Sequence, residues 1–564
     1  MKGQLGERFI AGSEGGKMRK LLGVLAAFAT LAASTSASAG MSLWSGSVPF
    51  SNQVASSPAT GGGYPVRPGS TAPRAGTCRS GAYDANHSES WIAVKPGTED
   101  LVGSSKFFFE NFSTFYMFHL GAYTIQEGKP SGNNIIQGYD CVTTGTQSMP
   151  PSWTNTTDPN LDFDTQGRVY QTMLPFNAFW TNLHPNGAID VSLSDDLGST
   201  WTKGNGGQDL EASPPDSSLS FGHFEDKQWI AVDRSPVSSF RDSVYSAWSL
   251  FNGFSVEVRF AFSRDRGQTF SPATTLTLPQ QTGPGTTFAL PAVDAAGNVY
   301  VATAAFPPCC ITPVTLFVTR STDGGVSFGP WVKVVTTPQQ PNGFFPNTRF
   351  RDGITESFAA SPTFPGHLYT TFEQWDGTNE NVYLTQSTDG GLTWSAPAKV
   401  NDNSAEPTDQ FQPSIAAGPN GAVAVAFYDR RQACPSDKSI LPADVGRTNF
   451  CIDTSLQAYK DTGSGAAAVG GNVRMSKFTW DPEQPGQHLG GLSQYPCAGH
   501  NDPCPIGTGF IGDYFGLAIS NGNIYALFTS THYPSDVTAD EGGPVFYQQQ
   551  VLATVPRSDF GTGY

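Results

Sequence analysis

The chain has 564 residues, among them 62 Gly and 42 Pro; only 14% are charged, and the formal net charge is −16. So much turn-forming material with so few charged residues excludes a coiled coil or helical bundle and predicts many short strands joined by turns. The acidic balance argues against nucleic acid as a partner and against anionic membrane surfaces.

Taken in chain order, the first element is a charged start at Met18-Arg19-Lys20 followed by an apolar run over 21–33 and an Ala37-Ser38-Ala39 site. That order predicts a secretory signal over 1–39, with translation starting at Met18 and export of the rest. The run is too short to span a bilayer, and no later segment is apolar enough, so no membrane span is expected. Removing 1–39 takes away five basic residues (Lys2, Arg8, Lys17, Arg19, Lys20) and two acidic ones (Glu7, Glu14), leaving a formal charge of −19. Residues 40–76, rich in Gly, Ser, Pro and Thr without a period, read as a flexible leader. Residues 77–564 then read as one domain.

Within that domain one phrase recurs: a short apolar strand, a Gly or Pro turn, then a strand rich in β-branched and aromatic residues. It pairs 91–94 with 101–109, 161–163 with 168–173, 229–232 with 243–248 and 289–293 with 299–304. It continues with 356–361 and 368–372, 412–416 and 422–428, and 514–519 and 523–528. No stretch carries helical periodicity. Four copies of an octapeptide punctuate the same region: Ser194-x-Asp196-x-Gly198-x-Thr200-Trp201, and its equivalents centred on Asp265, Asp323 and Asp389, at steps of 69, 58 and 66 residues. In each, Asp can accept backbone N–H groups of a tight turn, Gly supplies a positive φ, and the closing Trp or Phe is an apolar plug. Repetition at such a period marks units that bury their apolar faces only by stacking.

These octapeptides resemble the Asp-box repeats of the β-propellers of the sialidase superfamily, over roughly residues 87–552. The resemblance implies an all-β propeller of six or seven four-stranded blades, the seven strand pairs favouring seven. It also implies that each Asp-box closes the turn between a blade's third and fourth strands. Asp196, Asp265, Asp323 and Asp389 are therefore expected to be structural and to lie away from the mouth. In the sixth unit the motif is broken at Tyr459-Lys460-Asp461-Thr462-Gly463.

On a propeller, chemistry sits before first strands and after second strands. The residues there include His87 and Glu89; His223, Glu225, Asp226 and Lys227; Arg351 and Asp352; Glu373 and Trp375; Asp409; Arg430 and Arg431; and Asp513 and Tyr514. Carboxylates for acid–base work, aromatics for stacking and Arg converging on one mouth suit a carbohydrate. Glu225, Asp226, Asp409, Asp513 and Tyr514 are the catalytic candidates. Arg351, Arg430, Arg431, Glu373, Trp375 and His223 are the substrate-binding candidates. Each has a plainer reading: Arg430 or Arg431 as ties between blades, Asp513 as a turn cap, Glu225–Lys227 as a solvated corner. The strings Lys227-Gln228-Trp229-Ile230-Ala231-Val232-Asp233, Ala426-Phe427-Tyr428-Asp429-Arg430-Arg431 and Phe510-Ile511-Gly512-Asp513-Tyr514 resemble exported bacterial exo-α-sialidase-like proteins. In sialidases three Arg bind the substrate carboxylate, a Tyr–Glu pair supplies the nucleophile and an Asp is acid/base. The Phe/Tyr-Arg-Ile-Pro string that carries their first Arg does not occur here; Phe350-Arg351-Asp352-Gly353 is the nearest string. The reading is a secreted, sialidase-like glycosidase acting on extracellular glycans, with a non-catalytic carbohydrate- or protein-binding propeller as the alternative.

All eight Cys follow residue 39, which suits an oxidising compartment. Close spacing predicts Cys434–Cys451 and Cys497–Cys504 bridges, with Cys78–Cys141 as a third; Cys309 and Cys310 are adjacent and their pairing stays open. Neither Cys nor His has metal-site spacing, so no metal and no cofactor is expected.

Overall fold

A computed structural model describes residues 44–56, 87–108, 118–135, 155–176, 187–213, 223–252, 255–307, 313–340, 345, 347–348, 350, 352, 356–403, 407–484, 511–538, 544–546 and 548–564. Among these, strands dominate, and the α-helix Pro279–Thr282 is a single turn. Apart from a two-stranded hairpin of Pro534–Thr538 and Pro544–Phe546, the described strands fall into seven antiparallel units, six of four strands and the second of five. Two of these units share one sheet through a single parallel bridge, Val256 to Gly285. The innermost strands are His87–Val94, Asn155–Phe163, His223–Val232, Gly285–Val293, Glu356–Ala360, Gln410–Ala417 and Gly516–Ile519. Each lies beside the innermost strand of the unit before and after it, and the seventh returns to the first. The molecule is a β-propeller.

Strand alternation explains the packing. Apolar residues on each sheet face meet those of the next sheet, as where Phe411, Tyr428, Trp480, Phe515 and Val551 share one core. An innermost strand has an unpaired edge towards the axis, and side chains of the preceding unit satisfy part of it. Asn160 Oδ1 accepts Ile230 N–H (2.8 Å), Asp162 Oδ2 accepts Val232 N–H (2.8 Å) and Ser357 Oγ accepts Ile415 N–H (3.1 Å).

Within the segment read as a leader, Trp44–Ser56 belongs to the folded unit. Ser51–Val54 pairs antiparallel with Gln549–Pro556 and is the fourth strand of the last unit. Trp44 donates to Ser455 Oγ (2.6 Å) and lies between the guanidinium groups of Arg431 and Arg474. The ring is therefore closed by residues from both ends of the chain, and the expected domain start at 77 moves upstream.

The four octapeptides share one hydrogen-bond frame. Ser194, Ser263, Ser321 and Ser387 each donate to the first oxygen of their Asp at 2.8 Å. The same oxygen accepts the backbone N–H of Thr200, Thr269, Ser327 or Thr393 at 2.8–2.9 Å. Gly198, Gly267, Gly325 and Gly391 sit at φ of 76° to 87°, as the turn requires. Asp461, at the broken motif, retains part of this frame. It accepts Gly463 N–H (2.7 Å) and bonds His367 and Tyr369 of the fifth unit.

Cys434 and Cys451 are bridged and close a loop between the second and third strands of the sixth unit. Cys78, Cys141, Cys309, Cys310, Cys497 and Cys504 lie outside the described residues.

Candidate functional site

Five of the seven innermost strands carry the same irregularity near their start. The pairing register shifts by one residue, and one residue takes a positive φ: Glu89 (50°), Asp158 (56°), Lys227 (50°), Phe288 (58°) and Gln412 (46°). A bulge re-aims a side chain, and positive φ in non-Gly residues is strain kept only where the surroundings enforce it. Here the re-aimed side chains meet. Lys227 Nζ lies 2.7 Å from Asp513 Oδ2, 3.2 Å from Asp158 Oδ2 and 3.6 Å from Glu89 Oε1, and 5.5 Å from the centre of the Phe288 ring. Lys106 pairs with Glu89 from the other side. Gln412 donates its backbone N–H to Glu373 and its side-chain amide to Gly512 O (2.7 Å), linking this group to a second one.

The second group is Asp352, Glu356, Glu373 and Glu380, all buried; Glu373 is close enough to be repelled by the other three, and Glu380 by Asp352. Asp352 Oδ1, Glu373 Oε2 and both carboxyl oxygens of Glu356 and Glu380 have no hydrogen-bond donor. Burial, reinforced in Asp352, Glu373 and Glu380 by neighbouring carboxylates, pushes all four well above the usual carboxylate range. Around Lys227 the values separate. Burial and the Asp158 charge raise Glu89 to about 7. Burial also opposes the charge of Asp158, but Lys227 and Lys106 outweigh it and hold that carboxylate at about 2. Lys227 itself is buried, yet Asp158, Asp513 and Glu89 keep it charged, well above the ordinary lysine value.

Beneath this charged end the axis is plugged. Trp91, Trp229 and Tyr514 meet edge to face, with ring centres 4.7–6.2 Å apart. Past the plug, towards the turns that follow the first strands, lies a cavity of about 350 Å³ whose walls mix apolar residues such as Ile92, Ile230 and Leu517 with Lys95, Asp162 and Arg234. The charged group and this cavity lie on opposite sides of the aromatic plug.

The candidates from sequence divide accordingly. Asp513 lies at the Lys227 centre, and Glu373 in the carboxyl group beside it. Asp226, half-buried, accepts the N–H of Lys227 through Oδ1 (2.9 Å). Glu225 points elsewhere: both its oxygens accept from Ser213 (3.0 and 2.9 Å), and burial raises it to about 8. Asp409 is a structural anchor that accepts Arg430 (3.1 Å), Asn449 (2.9 Å) and Glu380 N–H (3.0 Å).

The two arginines expected to bind substrate are committed to the protein. Arg430 also bonds Phe450 O and Asn347, and Arg431 bonds Asp429 (2.7 Å), Asp402 (2.8 Å) and Asn472 (3.1 Å); both side chains are fully buried. Tyr514, a catalytic candidate, is part of the plug, its hydroxyl 3.3 Å from Pro159 O. Trp375 ends its strand half-buried. His223 opens the third innermost strand; its side chain and Arg351 lie outside the described residues. Asp158, Lys106, Glu356 and Glu380 were not among the candidates. The signal that finds two partners of this site is the shared offset of Glu89 from Trp91 and Lys227 from Trp229.

No family model matches the chain, and no curated protein does. Solved structures do match in part. A Hadza microbial sialidase, Hz136, is 15% identical with a TM-score of 0.39; the match covers 62% of this chain and 65% of that one, less than two thirds of its length. The NanB sialidase from Streptococcus pneumoniae is 12% identical (TM-score 0.37; 71% and 68% covered). The α-L-arabinofuranosidase Arb93A from Fusarium graminearum is 13% identical (TM-score 0.36; 71% and 93% covered).

Proposed function

We propose that this chain is an exported, seven-bladed propeller glycosidase, sialidase-like in its Asp-boxes, acting on extracellular glycans at the charged end of its axis. The observation that carries the reading is the group Asp352, Glu356, Glu373 and Glu380, buried together with most of their oxygens undonated. Such an arrangement costs stability, since buried polar groups are ordinarily satisfied, and unsatisfied ones call for a functional reason. Hydrolysis of a glycosidic bond needs a neutral carboxyl to protonate the leaving oxygen and an ionised one to act on the anomeric carbon or on water. The raised group supplies the first, with Glu373 as the donor proposed. Asp513 or Asp226 supplies the second.

The alternative, a binding propeller without turnover, is favoured by one observation: Arg430, Arg431 and Tyr514 are all committed to the fold. The Glu373→Gln variant separates the two readings. It keeps an acceptor for the Gln412 N–H and removes one mutually repelling carboxyl. For an enzyme, hydrolysis of a glycoside panel falls at least about a hundredfold while the melting temperature holds or rises. A wild type that binds glycans but hydrolyses none of the panel supports the binding reading.

A further inference from the structure

Resting on the proposal that this end of the axis receives a glycan, we infer that the glycan is non-anionic: it carries hydroxyl groups and no carboxylate, sulfate or phosphate where it meets the ring. Three observations carry this. The first is that the described cations flanking the site are already paired. Lys227 is shared by Asp513, Asp158 and Glu89, Lys106 is held by Glu89, Arg430 by Asp409, and Arg431 by Asp429 and Asp402. An anionic sugar seated on any of these would have to displace a carboxylate that the fold supplies at higher effective concentration.

The second observation is the kind of atom left without a partner. Asp352 Oδ1, Glu373 Oε2, both oxygens of Glu356 and of Glu380, and the amide oxygen of Gln412 are buried without a partner; a protonated carboxyl offers one O–H and keeps an acceptor oxygen, and the amide oxygen only accepts. Gln412 is informative because it bears no charge. Its backbone N–H bonds Glu373 and its side-chain amide bonds the backbone carbonyl of Gly512, next to Asp513, so it lies between the two clusters, fully buried, with its acceptor unmet. Acceptors are satisfied by donors, and a polyol brings donors in number, whereas a carboxylate or sulfate brings acceptors alone. The third is electrostatic. The burial that keeps these four carboxyls protonated opposes any further negative charge in the same space, so a ligand that adds one is disfavoured by desolvation.

The test is binding of the exported protein to an array that holds neutral and acidic glycans as matched pairs. Galactosides against galacturonides and unsulfated against sulfated galactans differ in the acidic group, and lactose against 3′-sialyllactose differs by an added acidic sugar. The expected result is retention of neutral members with affinities at least tenfold above their acidic counterparts, and loss of that binding in Glu373→Gln. Equal or tighter binding of an acidic member overturns the inference while leaving a glycan-acting protein in place. If Arg351→Ala then abolishes that binding, the anion seat expected from sialidases is restored. Retention of no glycan, neutral or acidic, overturns both this inference and the reading on which it rests.

Discussion

Lys227 is the residue on which the charged end turns, because three buried carboxylates lean on one ammonium. Removing one partner of a buried pair strands the other, at a cost of about 3–5 kcal/mol. Lys227→Met is therefore expected to lower stability by that order in urea unfolding, and adding Asp513→Asn to the same chain should recover part of it. Tyr514 gives the opposite expectation. Its ring fills the plug while its hydroxyl makes one long bond, so Tyr514→Phe should leave the melting temperature nearly unchanged and any glycosidase turnover within about twofold of wild type; loss of a nucleophilic Tyr would cost orders of magnitude. Glu225 carries a pH dependence. Its folded value, about 8, lies above the ordinary 4.5, so the folded state holds a proton that the unfolded state releases. Its contribution to stability is complete below pH 4.5 and is lost as pH rises towards 8. Glu225→Gln, which can still bond Ser213, should flatten that part of the stability profile in melts run from pH 5 to 8.

At the scale of elements, the Asp-box turn is a cap whose carboxylate collects a backbone N–H and two hydroxyls. Burial opposes the charge of Asp323, but these bonds outweigh it and hold the group at about 2. Replacing Asp323 by Ala should cost about 0.5–2 kcal/mol, in line with the loss of a helix cap, read as a lower melting temperature with no change in glycan binding. The Cys434–Cys451 loop works at longer range, because Phe450 O within it accepts Arg430. Its reduction is expected to cost about 3 kcal/mol by the chain-entropy estimate and to loosen the Arg430–Asp409 pair.

The elements were legible to different degrees. The seven strand pairs and the four turns stand out in the sequence because each repeats a local rule of alternation or turn chemistry. The bulges do not, since Glu89, Asp158, Lys227, Phe288 and Gln412 share a conformation and no side-chain chemistry. For the same reason nothing in the sequence marks Asp158. The sequence leaves Arg430 and Arg431 open between ties and ligand binding, because Asp409, Asp402 and Asn347 are remote in sequence and only the fold brings them near.

At the scale of the molecule, the ring holds only if its last unit is complete. Ser51–Val54 supplies that unit's outer strand, and Trp44 and Asn52 tie the adjoining segment to the sixth unit. Deleting 44–56 should leave an exposed strand edge on Gln549–Pro556, and the expected outcome is a broader unfolding transition and concentration-dependent association in light scattering. The same pairing has a consequence in time. Ribosomes deliver the chain from its amino end, so the strand at 51–54 emerges long before its partner at 549–556, with the other six units between them. Six units can pair from local sequence as they appear, yet the seventh waits for residues 549–556. Until then the earliest strand is an unmatched edge, open to any helper or competitor that accepts extended chain. The molecule becomes a disc in one late event, and whatever delays that event sets how long the nascent protein is vulnerable.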